Sequence, residues 1–148
     1  MARTYPKPYK WYPTHPEKYV GDVNNIVLRS SWEKKVVIWL DTTPSIIKWN
    51  SEDKKIPYLS PVDGKMHNYH PDFCVVYKDK VGNIKRAMLE VKPFVQTQEP
   101  KKPKNQTKSY VSQVETYLVN CAKWKNAKEW CDKNGFEFRL ITENELFN

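Results

Sequence analysis

Residues 70–77 read His-Pro-Asp-Phe-Cys-Val-Val-Tyr, and residues 86–93 read Arg-Ala-Met-Leu-Glu-Val-Lys-Pro. Both runs are rich in β-branched and aromatic residues, and Asp79 to Asn83, with Gly82, punctuates them as a hairpin turn. Centred on Val81, the pairing sets Asp72 opposite Glu90. Side chains alternate along a strand, so Glu90 and Lys92 share one face while Leu89 and Val91 point the other way. Directly opposed residues of an antiparallel pair have Cβ atoms roughly 4.5–5.5 Å apart, where like charges destabilise. Two carboxylates held that close need a neutraliser, either Lys92 or a divalent cation. Hard cations such as Mg²⁺ take one or two carboxylates and keep several waters, which leaves room for a phosphate.

Pro71-Asp72, a hydrophobic hairpin and Glu90-Val91-Lys92 together resemble the motif of the PD-(D/E)XK nucleases. The resemblance implies that Asp72 and Glu90 hold a metal. Lys92 would orient the attacking water or steady charge developing on the phosphate. Similar strings occur on many strands whose Glu and Lys are simply solvated. The motif draws its weight here from the hairpin, the helix before it and the basic charge of the chain.

The chain has 148 residues, a formal net charge of +8 and a pI near 9.3. That length suits one domain with a modest core. The charge points to a polyanionic partner, most simply nucleic acid. Cys74, Cys121 and Cys131 are odd in number and lack CxxC spacing, which argues against a zinc site or a disulfide framework and suits a reducing cytoplasm. No N-terminal apolar segment reads as a signal peptide, and no run of 18 apolar residues could span a bilayer.

In chain order, residues 1–23 place Pro6, Pro8, Pro13 and Pro16 among Tyr5, Tyr9, Trp11, Tyr12 and Tyr19. The prolines exclude a helix, so the segment is expected as an extended basic and aromatic arm ahead of a single domain over 24–148. Either its aromatics pack on the domain, or the arm meets phosphates and unstacked bases, with Lys10 as a candidate contact and Arg29, at the head of the domain, as another. Ser30 with Glu33 is a capping-box signature for a helix to about Thr42, with Trp32, Val36, Trp39 and Leu40 as its buried stripe. Glu33 either caps that helix or supplies a third carboxylate to the metal site, and a first-turn Glu can do both. Short strands follow around Ile46 to Trp49 and Lys55 to Tyr58, and the Pro61–Lys65 turn is expected to lead into the strand bearing Asp72. His67 and His70 flank that approach as possible ligands or proton shuttles, or as ordinary surface residues.

Beyond Pro93, residues 94–108 form a polar loop with Lys101, Lys102, Lys104 and Lys108, either a clamp for a DNA backbone or a solvated connection. Ser109 is expected to cap a second helix with Tyr110, Val114, Tyr117, Leu118, Cys121 and Trp124 as its apolar stripe, ending at Asn134-Gly135. Gln113 and Tyr117 resemble the Gln-X₃-Tyr of some exonuclease branches, or are surface and core residues. Phe136 to Ile141 reads as a last strand, and Thr142 to Phe147 as a short helix.

A wider resemblance rests on Lys18-Tyr19, Gly21-Asp22, Arg29-Ser30, Trp32-Glu33, Trp39-Leu40-Asp41, Ile56-Pro57-Tyr58, Glu90-Val91-Lys92-Pro93, Lys123-Trp124-Lys125 and Phe138 to Glu143. In these the chain is similar to the head completion proteins of tailed, T-even-type phages, themselves similar to the catalytic domain of the transposition endonuclease TnsA. The resemblance implies an α/β, restriction-endonuclease-like core, a mixed β-sheet (β-meander) flanked by helices. It implies a Mg²⁺-dependent nuclease, with Mn²⁺ as substitute, acting on double-stranded DNA during head completion and head–tail joining. Head, portal or neck proteins would be partners, in the host cytoplasm or the virion. Two other readings stay open: a DNA-binding structural protein of the head without turnover, and a recombination or repair endonuclease of the same fold.

Overall fold

The protein, seen in a computed structural model, is described over residues 7–146; Tyr5 and Pro6 of the expected arm and Phe147 of the expected terminal helix lie outside them. Strands β1 (Tyr9–Lys10) and β2 (Val27–Leu28) pair antiparallel, joined through 3₁₀ turns at Pro16–Lys18 and Val23–Asn25. This proline-rich segment lies strapped along the domain. The Thr14 and His15 backbone N–H groups donate to the Asp41 carboxylate at 2.8 and 2.9 Å, and Lys18 Nζ donates to the carbonyls of Asp41 and Thr43. Trp11 and Tyr19 pack against Trp49. Asp41 is only 2% exposed, and two backbone donors make that burial tolerable.

Helix α1 (Ser31–Thr42) is capped as its sequence signals, Ser30 Oγ accepting from the Glu33 N–H at 3.1 Å. Its buried face is Val36, Val37, Leu40 and Asp41, whereas Trp39 is 52% exposed and Trp32 half-buried. The unbroken apolar run Val36–Leu40 allows more than one stripe. The packed one leaves Trp39 to the side.

Strand β3 (Ile46–Ser51) follows, then β4 (Ile56–Leu59) and β5 (Met66–Tyr69), which form a two-stranded hairpin of their own. The Pro61–Lys65 turn therefore closes β4 onto β5 and does not feed the strand beyond Asp72. The break comes at His70-Pro71, where proline lacks the donor that a continuing ladder needs. β6 (Phe73–Lys78) and β7 (Ile84–Val91) make the expected hairpin, with Phe73 opposite Leu89 and Val75 opposite Ala87, the register that sets Asp72 across from Glu90. Its turn is tied by Asp79, whose Oδ1 accepts from the N–H groups of Val81 and Asn83.

Helix α2 (Lys108–Asn134) is capped by Thr107, whose side chain accepts from the Tyr110 N–H at 3.1 Å; Ser109, the expected cap, lies in the first turn. It runs unbroken past Asn120 and stops at Gly135, whose φ of 75° suits a left-handed C-cap. Leu118, expected in its apolar stripe, is exposed. β8 (Glu137–Ile141) and the short α3 (Glu143–Leu146) complete the described chain. The main sheet runs β3-β6-β7-β8, antiparallel except for the parallel β7–β8 pair. The fold is thus mixed α/β as expected, with the β4–β5 hairpin inserted between neighbours of the sheet.

The core lies on both faces. One cluster sets Ile26, Leu28, Val37 and Leu40 against Trp49, Phe73, Val75 and Leu89. The other joins Ile56, Tyr58 and Tyr69 of the inserted hairpin to Met88, Ala127 and Cys131 under α2. By strand alternation Glu90 and Lys92 share the face of Met88, so α2 and the inserted hairpin border them.

Candidate active site

Asp72 stands just before β6. Its Oδ2 accepts the Val91 N–H at 2.8 Å, and its carbonyl accepts the Glu52 N–H at 3.1 Å. Glu90, 6% exposed near the end of β7, accepts the Tyr69 hydroxyl on Oε2 at 2.5 Å, while Lys92 Nζ lies 3.9 Å from its Oε1. Glu33 does two jobs at once. Its Oε2 accepts the Arg29 N–H at 2.8 Å at the head of α1, and it also offers an oxygen toward Asp72.

The third member of that cluster is Glu52. Ligand oxygens of Glu33, Glu52 and Asp72 all lie within 4.8 Å of one another. Glu52 follows directly on β3 at a φ of 53°, a left-handed backbone unusual outside glycine and costing about 1–2 kcal/mol. Its N–H bond to the Asp72 carbonyl helps hold that conformation. The Arg29 guanidinium pairs with its carboxylate. Arg29, read from sequence as a DNA contact, is thus engaged inside the acidic cluster through both backbone and side chain.

Burial, then the charge of Glu90, pushes the Asp72 carboxyl up to about 8; Glu33 adds to this, and the Val91 N–H and Lys92 oppose it. Glu90 is also raised, by burial, and held back by the Tyr69 hydroxyl, Lys92, Lys123 and the Asp72 N–H. Glu52 is exposed, but the partly buried Asp72 and the buried Glu90 gain from added positive charge. The donor set is all oxygen, which suits a hard divalent cation.

The other sequence candidates sit elsewhere. Lys10 lies exposed on β1, Lys101, Lys102 and Lys104 are exposed in the loop before α2, and Lys108 is exposed as its first residue. Gln113 is exposed and bonds Ser109 one turn back. His67 pairs with Asp63 at 2.7 Å and stacks on Tyr58, and His70 is exposed beside Pro71. Three residues near the cluster were not among the site candidates read from the sequence: Glu52, Tyr69 and Lys123, the last noted there only as part of the family resemblance. Glu52 stood in a polar stretch that reads as a loop. Lys123 carried a usable signal, a lysine in helical phase with Asn120, Ala127 and Cys131, the buried residues of α2.

The family profile of the TnsA-like endonuclease N-terminal domain matches residues 43–143. The chain belongs to the TnsA-like endonuclease family. It is also 40% identical over 141 residues to the head completion nuclease of Enterobacteria phage T4, across 93% of this chain and 91% of that protein. Both findings agree with the expectation of a phage head completion nuclease. The span matched to the TnsA-like endonucleases holds Glu52, Asp72, Glu90, Lys92 and Lys123, and Glu33 and Arg29 precede it. Among the described residues, no helix of this TnsA-like endonuclease is long and apolar enough to cross a membrane.

Proposed function

We propose that the chain is a divalent-metal-dependent DNA nuclease of the PD-(D/E)XK type, cutting double-stranded DNA in phage head completion and head–tail joining. The observation that carries this reading is the convergence of Glu33, Glu52 and Asp72 within 4.8 Å, beside Glu90 and Lys92, in a chain of the TnsA-like endonuclease family. Glu33, Glu52 and Asp72 would hold Mg²⁺, or Mn²⁺ in its place, with Glu90 adjoining. The ion would supply positive charge against the phosphate and a lowered pKa for bound water.

The chain's own residues do the rest. Lys92, near Glu90, holds the attacking water or stabilises negative charge gathering on the phosphate as the new bond to phosphorus forms and the 3′ oxygen leaves. Val91 and Tyr69 fix the carboxylates of Asp72 and Glu90 from behind. The net charge of +8, with the exposed lysines 101, 102, 104 and 108, draws the duplex in electrostatically. Head, portal or neck proteins are the proposed partners, and the host cytoplasm and the assembling virion the proposed places of action.

Purified protein incubated with plasmid DNA is expected to nick or degrade it with Mg²⁺ or Mn²⁺ and to leave it intact in EDTA. Lys92→Ala should lose that cleavage while keeping the wild-type circular dichroism spectrum. Undiminished cleavage by the variant, or salt-sensitive binding with no metal-dependent cleavage by wild type, would overturn the enzymatic reading; the latter is the signature of a structural DNA-binding protein.

A further inference from the structure

Lysine is rarely placed on the buried face of a helix. Lys123 is half-buried there, its Nζ 5.9 Å from the centroid of the Tyr58 ring and 5.8 Å from that of Tyr69. The hydroxyl of that same Tyr69 donates to Glu90. Aromatic faces attract a cation but do not neutralise it. Among the described residues no carboxylate forms an ion pair with Lys123, since the ammonium near Glu90 Oε1 is that of Lys92. Burial lowers the Lys123 ammonium, the charge of Lys92 lowers it further and Glu90 opposes them. A cation kept partly from water, beside a second cation and short of an anion, is unfavourable unless a negative group arrives from outside.

We infer that Lys123 is a phosphate-binding residue of the cleavage site, its ammonium meeting a non-bridging oxygen of the DNA backbone on the Lys92 side of Glu90. The inference rests on the nuclease reading for the nature of that anion. The two tyrosine rings hold the ammonium itself, 5.9 and 5.8 Å from their centroids, beside Glu90, whose carboxylate Tyr69 also bonds, so the contact is made by a head group already placed. A lysine serves here as a point charge. Arginine should replace it in large part, and a neutral side chain of equal length should not.

The test is duplex binding by fluorescence anisotropy between 50 and 200 mM salt, with Ca²⁺ in place of Mg²⁺ and again in EDTA, for wild type, Lys123→Met, Lys123→Gln and Lys123→Arg. Loss of one phosphate contact should flatten the plot of log affinity against log salt by about 0.9 in the Met and Gln variants. Cleavage with Mg²⁺ should fall roughly 100-fold or more in both, in line with one lost electrostatic contact to the reacting phosphate. Arg should restore the slope and most of the rate. Two neutral variants guard against one that folds poorly, and melting curves report on folding. An unchanged slope and rate in a folded neutral variant, with only its melting temperature altered, would overturn the inference and leave Lys123 as packing for the tyrosines. Metal-dependent cleavage by wild type is scored apart from the slope, so the nuclease reading and the role of Lys123 fail separately.

Discussion

Changing Asp72 to Asn separates what this carboxyl costs the fold from what it does in the site. Its pKa is pushed from 3.8 up to about 8 by burial and by Glu90. The unfolded chain therefore ionises the group near pH 4, whereas the native chain keeps the proton until about pH 8. The native state binds the extra proton across that window, so the contribution to stability is fully present below pH 4 and is lost as pH rises toward 8. At 1.36 kcal/mol per unit, the loss by pH 7 comes to roughly 4 kcal/mol. Part of the side chain remains open to water, which screens the effect, so a gain on the order of 2 kcal/mol is expected for the variant. Asn retains an oxygen for the Val91 N–H, and the backbone need not move. For a chain of this size the gain corresponds to a rise of about 4–8 °C in Tm. Thermal melts in EDTA from pH 4 to 8.5 would measure it: the two proteins should coincide near pH 4 and diverge as pH rises. Mg²⁺ should then raise the Tm of wild type and leave the variant, inactive on DNA, where it was. An Asn variant that melts at or below wild type at pH 8 in EDTA would refute the electrostatic account of Asp72.

Two further substitutions probe the neighbours of Asp72. Glu52→Gln should weaken Mg²⁺ binding about tenfold or more by calorimetry and raise the Mg²⁺ needed for cleavage, on the scale of a lost ligand or its support; an unaltered Mg²⁺ requirement would remove Glu52 from the cluster. Tyr69→Phe deletes the donor that lowers the Glu90 carboxyl, so that group should titrate higher and the acid limb of the cleavage profile should move to higher pH. A rate profile that does not move would mean the Tyr69 bond is irrelevant to turnover.

What could be read in the sequence, and what could not, follows the distance along the chain over which each feature is settled. The β6–β7 register is local. A short turn with Gly82 and Asn83, flanked by alternating apolar residues, leaves one pairing that keeps Leu89 and Phe73 inside, and that pairing places Asp72 and Glu90. The capping of α1 is local too, and so is the placing of Glu33 in its first turn. Glu52 is different. It reaches the site only because β3 pairs with β6 far along the chain, setting Ser51 against Phe73 and the Glu52 N–H on the Asp72 carbonyl. Its positive φ leaves no mark in a stretch reading Asn-Ser-Glu-Asp. Trp39 was misplaced for the opposite reason: an unbroken apolar run gives period-counting too many answers, and tertiary packing chooses among them.

The arrangement also explains why carboxylates can be crowded here without scattering. One oxygen of each is committed to a donor: Glu33 to the Arg29 N–H, Asp72 to the Val91 N–H, Glu90 to the Tyr69 hydroxyl and Glu52 to the Arg29 guanidinium. Two of those donors are backbone groups of the helix entry and of β7, which cannot swing away as side chains do. Arg29 joins two of the acids through one residue, so the head of α1 and the end of β3 are registered to each other as well as to the β6–β7 hairpin. A set of acids oriented in advance has little left to reorganise when a cation or a phosphate arrives, and that preorganisation is worth most where water is partly excluded. Cations bracket the acids from separate elements, Arg29 ahead of α1, Lys92 after β7 and Lys123 from α2, and the raised Asp72 carboxyl marks the point where a further positive charge would be most favourable. The left-handed backbone at Glu52 and the raised Asp72 carboxyl, pushed up by burial and then by Glu90, meet at one hydrogen bond, so the fold gives up stability twice at the point where its acids converge.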